Sequence, residues 1–293
     1  MLVTGATGFL GRHLIPKLDF RRKIRCLVRK NSDTASLLSI PRVEIIYGDL
    51  TDLDSVKGAM KGVDTVIHMA AACKPELKDL MHATNVEGTQ KIVEACRSQK
   101  IKKLIYLSSV AVVFEKDLQN DVYCSTKLKA EEIILKAGLP AIILRPSAIY
   151  PETGGFTVPI KIARYLPILP LPGFILNKKL QQPVSVKNVV EVILTALKTD
   201  KLKENKPYFI AGPNNQTISE LIDKSTVFPF KPLKIKTPDF ILKKLISLGF
   251  PIDRGHLVKN QKFYQFDLTE AIKDFGYAPL DIIETIRGTK ASS

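Results

Sequence analysis

Tyr123 and Lys127 stand at positions i and i+4 of "VYCSTKLKAEE", a spacing that puts both side chains on one face of a helix. A free phenol, with a pKa of about 10, is a poor base at neutral pH. A nearby ammonium stabilises phenolate and brings that value down, which would turn the pair into a proton shuttle. The same spacing equally suits an ordinary pair on a solvated surface, so its meaning depends on what accompanies it. Upstream, "YLSS" closes an apolar run with Ser108 and Ser109.

The chain opens "MLVTGATGFLG", with glycines at 5, 8 and 11. A strand ending at Thr4, a glycine-rich turn and a helix from about Gly11 would aim unpaired backbone N–H groups at an anion. On this reading Gly5 permits the tight turn, Gly8 lets backbone approach a pyrophosphate, and Gly11 allows the helix to pack closely on the strand. One such glycine would mark only a turn. Three at this spacing point to a dinucleotide, although the pattern is G-x-x-G-x-x-G and not G-x-G-x-x-G.

These groups need a scaffold, and the apolar runs supply one. "MLVT", "IRCLV", "VEIIYG", "DTVIHMA", "KKLIYLSS" and "PAIILRP" read as strands, with helices predicted over about 11–19, 52–61, 83–99 and 122–136. Short apolar runs separated by helices predict an α/β fold, a doubly wound parallel sheet of the Rossmann type. Residues 1–150 are expected to form the dinucleotide-binding domain and 151–293 a substrate-binding region with a small, mostly helical C-terminal lobe. Within that region, 184–212 are expected to return to the sheet.

Composition narrows the classes. The 293 residues are 45% hydrophobic, enough for a substantial core. Cys26, Cys73, Cys96 and Cys124 form no C-x-x-C pair, which argues against a zinc site or a disulfide framework and suits a reducing cytoplasm. His13, His68, His82 and His256 are scattered, so no metal is expected, and His68 reads as packing beside a cofactor. "VPIKIARYLPILPLPGFIL" carries Lys161, Arg164 and four prolines, which argues against a membrane span. The net charge of +15 attracts anions. Its lysines are dispersed, without the interleaved aromatics of single-strand binders, so nucleic acid is not an expected partner.

Taken together, these stretches resemble the extended branch of the short-chain dehydrogenase/reductase superfamily, the NAD-dependent epimerase/dehydratase group. The resemblance rests on "TGATGFLG", "GDLTD", "VIHMAA", "NVEGT", "YLSSVAV", "YCSTK", "RPSAIY" and "FDLTEAIKDFGYAP", and covers nearly the whole chain. Members of that group carry two or three more residues before the first strand, so this one is expected to be short or truncated.

The resemblance implies a catalytic set of Ser109, Tyr123 and Lys127. Ser109 would hold the substrate oxygen, Tyr123 would give or take the proton, and Lys127 would also bond the nicotinamide ribose. Ser108 would be the strand-end cap. Gly5, Thr7, Gly8, Phe9, Leu10 and Gly11 would cradle the cofactor; Asp49 and Leu50 would flank adenine, Ala70 and Ala71 would line the site, Asn85 would brace the neighbouring helix, and Pro146 would lie near the carboxamide. On bare chemistry Asp49 and Asn85 serve equally well as turn caps. Arg29 and Lys30 follow the second strand where an NAD site usually has an acid, which favours NADP over NAD.

The expected activity is hydride transfer at a carbinol or carbonyl carbon, with a small molecule as substrate. Likeness to dihydroflavonol reductases implies net ketone reduction. A nucleoside-diphosphate-sugar epimerase or dehydratase, with internally recycled cofactor, is the alternative, and a non-catalytic nucleotide-binding subunit a distant one. The short "FEKDLQND" loop implies a less enclosed pocket, or one closed by the C-terminal lobe. Gly154 and Gly155 would begin the substrate region, Lys161, Arg164, Lys178 and Lys179 are candidate phosphate partners, and the resemblance suggests a homodimer.

Overall fold

The computed structural model describes residues 1–19, 21–73, 78–114, 121–151, 165, 168–171, 179–199, 205–226, 229–231, 233–236 and 264–287. The chain divides into two compact units: Met1–Pro146 with Val189–Ile210 and Leu268–Tyr277, and Ser147–Asn188 with Ala211–Asp267 and Ala278–Ser293.

In the first unit the strands are β1 (Leu2–Thr4), β2 (Ile24–Val28), β3 (Val43–Tyr47), β4 (Thr65–His68), β5 (Lys103–Leu107) and β6 (Ala141–Pro146). Beyond them come β7 (Ile149–Tyr150), β8 (Ile168–Leu171), β9 (Lys179–Leu180), β10 (Val184–Ser185), β11 (Pro207–Ile210), β12 (Gln216–Thr217) and β13 (Leu233–Lys236). Seven of these build one sheet in the order β11-β6-β5-β4-β1-β2-β3, and every neighbouring pair is parallel. The expected doubly wound sheet is therefore present. β1 is three residues long and wholly buried, paired with β2 and β4 on its two sides.

Helices α1 (Phe9–Leu14), α2 (Ala35–Leu38), α3 (Leu53–Met60), α4 (Lys78–Met81), α5 (Gly88–Ser98) and α6 (Val122–Lys136) connect the strands. Val66, Leu104, Tyr106 and Ile143 of the sheet pack with Met60, Ile92, Ala130 and Ile134 of α3, α5 and α6 in one apolar core. Asp121 caps α6, its carboxylate accepting from the Cys124 amide at 3.0 Å, which fixes where the helix carrying Tyr123 and Lys127 begins.

Three local features depart from the sequence expectations. The first helix starts at Phe9 and passes into a 3-10 turn at Ile15–Lys17, with Pro16 in its first turn. The predicted helix over 83–99 is interrupted: α4 leads into a π-helical turn, His82–Glu87, before α5 begins. The helix Thr269–Phe275, which the sequence places in the C-terminal lobe, belongs to the first unit, where Tyr208 of β11 donates its hydroxyl hydrogen to Asp274 at 2.8 Å.

The helix Val186–Lys198 precedes β11. Lys103 Nζ donates to the carbonyls of Ala196, Leu197 and Thr199 at 3.0, 3.1 and 2.8 Å, satisfying acceptors that a helix C-terminus leaves open. The second unit has its own core, with Tyr150, Leu180, Leu221, Ile222, Ile282 and Ile286 in contact.

Among the described residues no helix is long and apolar enough to cross a membrane, and no three potential metal ligands gather. The four cysteines are free thiols, with Cys73 exposed and the others buried.

Gly11 leaves no room for a side chain: a Cβ there would lie 2.3 Å from the Ala6 carbonyl oxygen and 2.5 Å from that of Gly5. Gly11→Ala is expected to lower unfolding free energy by about 1–3 kcal/mol in a urea titration, and an unchanged midpoint would contradict this packing.

Candidate active site

The glycine turn is tied to the end of β4. Gly5 adopts a left-handed backbone with φ of 75°, and a Cβ on it would come within 2.8 Å of the Ala70 amide nitrogen. Gly8 is the exposed residue at the head of α1, with no side-chain cap, and its own amide donates back to the Gly5 carbonyl at 3.0 Å. Gly11 closes on the carbonyls of the turn itself, whereas the sequence reading has it packing on the strand. The Thr7 carbonyl accepts from Arg12 Nε at 3.0 Å; Phe9 is exposed while Leu10 turns into the core.

The residues present fit a dinucleotide phosphate. The open head of α1 offers amides that helix geometry leaves without intrahelical acceptors, and no acidic side chain lies in its first turn.

Behind this turn runs a buried polar chain. His68 is fully buried, with Nδ1 at 2.7 Å from Thr4 Oγ1 and Nε2 at 3.0 Å from Thr89 Oγ1. Thr89 spends its one hydroxyl hydrogen on the Asn85 carbonyl at 2.6 Å, so it accepts from His68 Nε2–H, and Nδ1 accepts from Thr4. The Ala70 amide donates to the same Thr4 oxygen at 3.3 Å. Burial first, and then the charge of Lys127, push the His68 pKa down to about 3.

Asn85 continues the chain from within the π-helical turn. Its side chain accepts from the Ala72 amide at 2.8 Å and donates to the Ala72 carbonyl and Thr126 Oγ1 at 2.9 and 3.1 Å. It thus binds the loop after β4, which holds Ala70 and Ala71, to α6. Leu50 packs under the start of α5, where a Cβ on Gly88 would be 3.1 Å from Leu50 Cβ. Asp49 is exposed and caps its own turn, accepting from the Thr51 amide and hydroxyl, each at 2.8 Å; the Thr51 amide chiefly holds its pKa below the ordinary value. Pro146 ends β6, opposite Ile210.

Ser109 follows the end of β5, and Tyr123 and Lys127 stand one turn apart on α6. Ser109 Oγ accepts from the Ala111 amide at 3.1 Å. Ser108 is 3% exposed, and its hydroxyl has no partner among the described residues, so it caps nothing there. Lys127 is buried; its Nζ donates to the Leu107 carbonyl at 2.6 Å and lies 4.4 Å from the centre of the Tyr106 ring. Burial brings the Lys127 pKa down to about 7, against the opposing pull of Glu131.

The phenol departs from the sequence expectation. Burial pushes the Tyr123 pKa up to about 12, and Ser109 pulls it back only in part. The ammonium of Lys127 is turned to the Leu107 carbonyl and the Tyr106 face, so desolvation outweighs it at Tyr123.

Two residues escaped the sequence reading. Glu131, one turn beyond Lys127 on α6, is 1% exposed, and Arg145 of β6 holds it with Nε at 2.9 Å from Oε1 and Nη2 at 2.6 Å from Oε2. The repeat of Tyr123, Lys127 and Glu131 every four residues was visible in the sequence, and a charge inside "IILRP" was its available counterpart. The loop residues 115–120, with Gly154, Gly155, Lys161, Arg164 and Lys178, lie outside the described residues, as does the Lys179 side chain.

An all-parallel seven-stranded sheet with a glycine turn after β1 is the frame of the extended short-chain dehydrogenase/reductase class. Within it, residues 2–221 match the 3-beta hydroxysteroid dehydrogenase/isomerase family, and the chain belongs to that family. It is 32% identical over 196 residues to 3beta-hydroxysteroid-dehydrogenase/decarboxylase isoform 2 of Arabidopsis thaliana, a match covering 55% of this chain and 34% of that protein. The chain therefore spans about a third of that relative's length. With 2-alkyl-3-oxoalkanoate reductase of Shewanella oneidensis it shares 26% identity across 99% of this chain and 85% of the other. The crystal structure of the Bordetella bronchiseptica enzyme WbmG in complex with NAD superposes with a TM-score of 0.72 at 16% identity, covering 98% of this chain and 91% of that one; at that identity the likeness is one of fold.

His68 makes stability depend on pH in a defined window. Its folded pKa of about 3 lies below the ordinary histidine value of 6.5, so between those values the unfolded chain binds a proton that the folded chain does not. Stability is expected to fall as pH is lowered through that window, by up to about 1.4 kcal/mol per pH unit. In His68→Gln this part of the slope is expected to vanish from urea titrations taken across the window.

Proposed function

We propose that this protein is an NAD(P)-dependent dehydrogenase or reductase acting at a carbinol or carbonyl carbon of an apolar or acyl substrate. The observation that carries this reading is the placing of Tyr123 and Lys127 one turn apart on α6, with Lys127 buried and its ammonium donating to the Leu107 carbonyl at the end of β5. Net oxidation or reduction is favoured over internal cofactor recycling by membership of the 3-beta hydroxysteroid dehydrogenase/isomerase family and by the near full-length match to a 3-oxoalkanoate reductase.

Tyr123 is the proton donor in reduction and the acceptor in oxidation, with Ser109 holding the same oxygen. A phenol whose pKa lies near 12 keeps its proton at neutral pH, which suits donation to a carbonyl oxygen as negative charge develops there. Lys127, whose Nζ donates to the Leu107 carbonyl, would hold the cofactor ribose and supply positive potential to the phenolate. Gly5, Thr7, Gly8, Phe9, Leu10 and Gly11 offer their backbone to the pyrophosphate; Leu50, Ala70, Ala71 and Pro146 furnish the walls. Asn85 acts at one remove by holding the Ala72 loop. A nicotinamide dinucleotide, when bound, supplies the hydride donor or acceptor.

NADP is the preferred cofactor on this reading. Arg29 is exposed just past β2, and the first acid to follow, Asp33, is already paired with Arg12 at 2.9 Å. Between β2 and α2 Asp33 is the one acid, and the exposed Arg29 suits a 2′-phosphate.

The direct test follows nicotinamide absorbance with a 3β-hydroxysteroid in the oxidative direction and a 2-alkyl-3-oxoalkanoate in the reductive one. Turnover with net cofactor change is expected, and Tyr123→Phe should lower kcat by about 100-fold or more. Undiminished turnover in that variant sinks the assignment. Calorimetry should find NADPH bound more tightly than NADH, with Arg29→Ala weakening NADPH by about tenfold and leaving NADH unchanged; equal losses for both would count against the 2′-phosphate contact.

A further inference from the structure

The stripe on α6 does not stop at Lys127. Tyr123, Lys127 and Glu131 succeed one another at single-turn spacing on one face of the helix, and Lys127 and Glu131 are buried to 2% and 1% exposure. Arg145 grips both Glu131 oxygens, and its guanidinium carbon lies 5.5 Å from the centre of the Phe209 ring. A carboxylate this deep is costly to keep unless it is paired. Pairing alone does not explain its register one turn from the lysine.

We propose that Glu131 is a positioning residue for the Ser109–Tyr123–Lys127 site: its buried carboxylate is the counter-charge that holds Lys127 as an ammonium, and Arg145 locks that carboxylate in place. The inference rests on the catalytic reading of Tyr123 and Lys127 given above.

The surroundings of Lys127 support this division of labour. Its neighbours with titratable or charged groups are Tyr123 and Glu131 on α6, Tyr106 on β5, His68 on β4, Cys73 in the loop beyond β4, and Arg145 on β6 behind Glu131. Tyr106 presents its ring face, His68 is neutral, and Tyr123 keeps its proton, so none brings a full negative charge at neutral pH. Glu131 is the first-named opposing influence to the desolvation of Lys127, and Cys73 the second. With burial already placing Lys127 at about 7, loss of the carboxylate would discharge it under ordinary conditions, and a neutral amine cannot support phenolate. Arg145 fixes the Glu131 carboxylate through both of its oxygens.

The test needs no substrate. Protein grown with isotope-labelled lysine is titrated by nuclear magnetic resonance, and the Lys127 Cε signal is assigned by its loss in Lys127→Met. In the unmodified protein this signal should titrate near neutral pH. In Glu131→Gln, and in the double variant Glu131→Gln with Arg145→Gln, which removes both buried charges together, the midpoint should move to lower pH by about one unit or more. The double variant decides the matter if the single one does not fold, and circular dichroism establishes folding for each. A Lys127 midpoint that is unmoved in a folded variant overturns the proposal, as does a lysine in the unmodified protein that titrates in the ordinary lysine range. Calorimetry with NADH and NADPH on the same unmodified protein separates the two readings: absence of binding there defeats the proposed function and leaves the lysine titration to stand or fall alone.

Discussion

A lysine side chain taken out of water must be given something to do with its charge, and the first unit of this protein is arranged around that demand. Lys127 reaches the end of β5, gives a hydrogen to the Leu107 carbonyl and rests against the Tyr106 ring. Each partner comes from backbone or side chain that the parallel sheet already fixes, so the register of β5 against β4 and β6 sets where the ammonium can lie. Shift β5 by one residue and the alternation would exchange the Tyr106 face for a neighbouring side chain.

The glycine turn solves a related problem by subtraction. Gly5 and Gly11 stand where backbone meets backbone, against Ala70 and Ala6, and the closeness keeps the head of α1 over the ends of β1 and β4. Between turn and lysine, the chain from Thr4 through His68 and Thr89 to Asn85 links β1, β4, α5 and α6 without an unpaired ring nitrogen. Complete satisfaction is what makes such a buried polar network tolerable. It also defines one arrangement of the walls, since any member displaced strands its neighbour.

Much of this was legible in the residues. The short apolar runs named the parallel strands because a sheet covered on both faces needs them, and Val122–Lys136 matched its predicted limits because Asp121 caps it and Gly138 follows. Glycine spacing located the turn. What the sequence hid was three-dimensional. The π-helical turn at His82–Glu87 has no propensity signature, and arises where Asn85 must face the Ala72 loop while Thr89 claims its carbonyl. The Glu131–Arg145 pair joins residues on different elements, and the elevated phenol at Tyr123 reflects how thoroughly the site is desolvated, which helix spacing does not report. Membership of Thr269–Phe275 in the first unit likewise depends on the Tyr208–Asp274 bond.

The strand order bears on how the chain is made. β6 borders β5 on one side and β11 on the other, and β11 begins at Pro207, some sixty residues after β6 ends at Pro146. During synthesis, the backbone donors and acceptors along the outer margin of β6 must therefore wait, uncovered, while the ribosome delivers the first segment of the second unit and the helix Val186–Lys198. An apolar "AIIL" margin of that kind is a template for unwanted pairing between nascent chains. In the folded chain Lys103 clasps the carbonyl end of Val186–Lys198, so the helix that leads into β11 is tied to β5 at the very margin the last strand must complete.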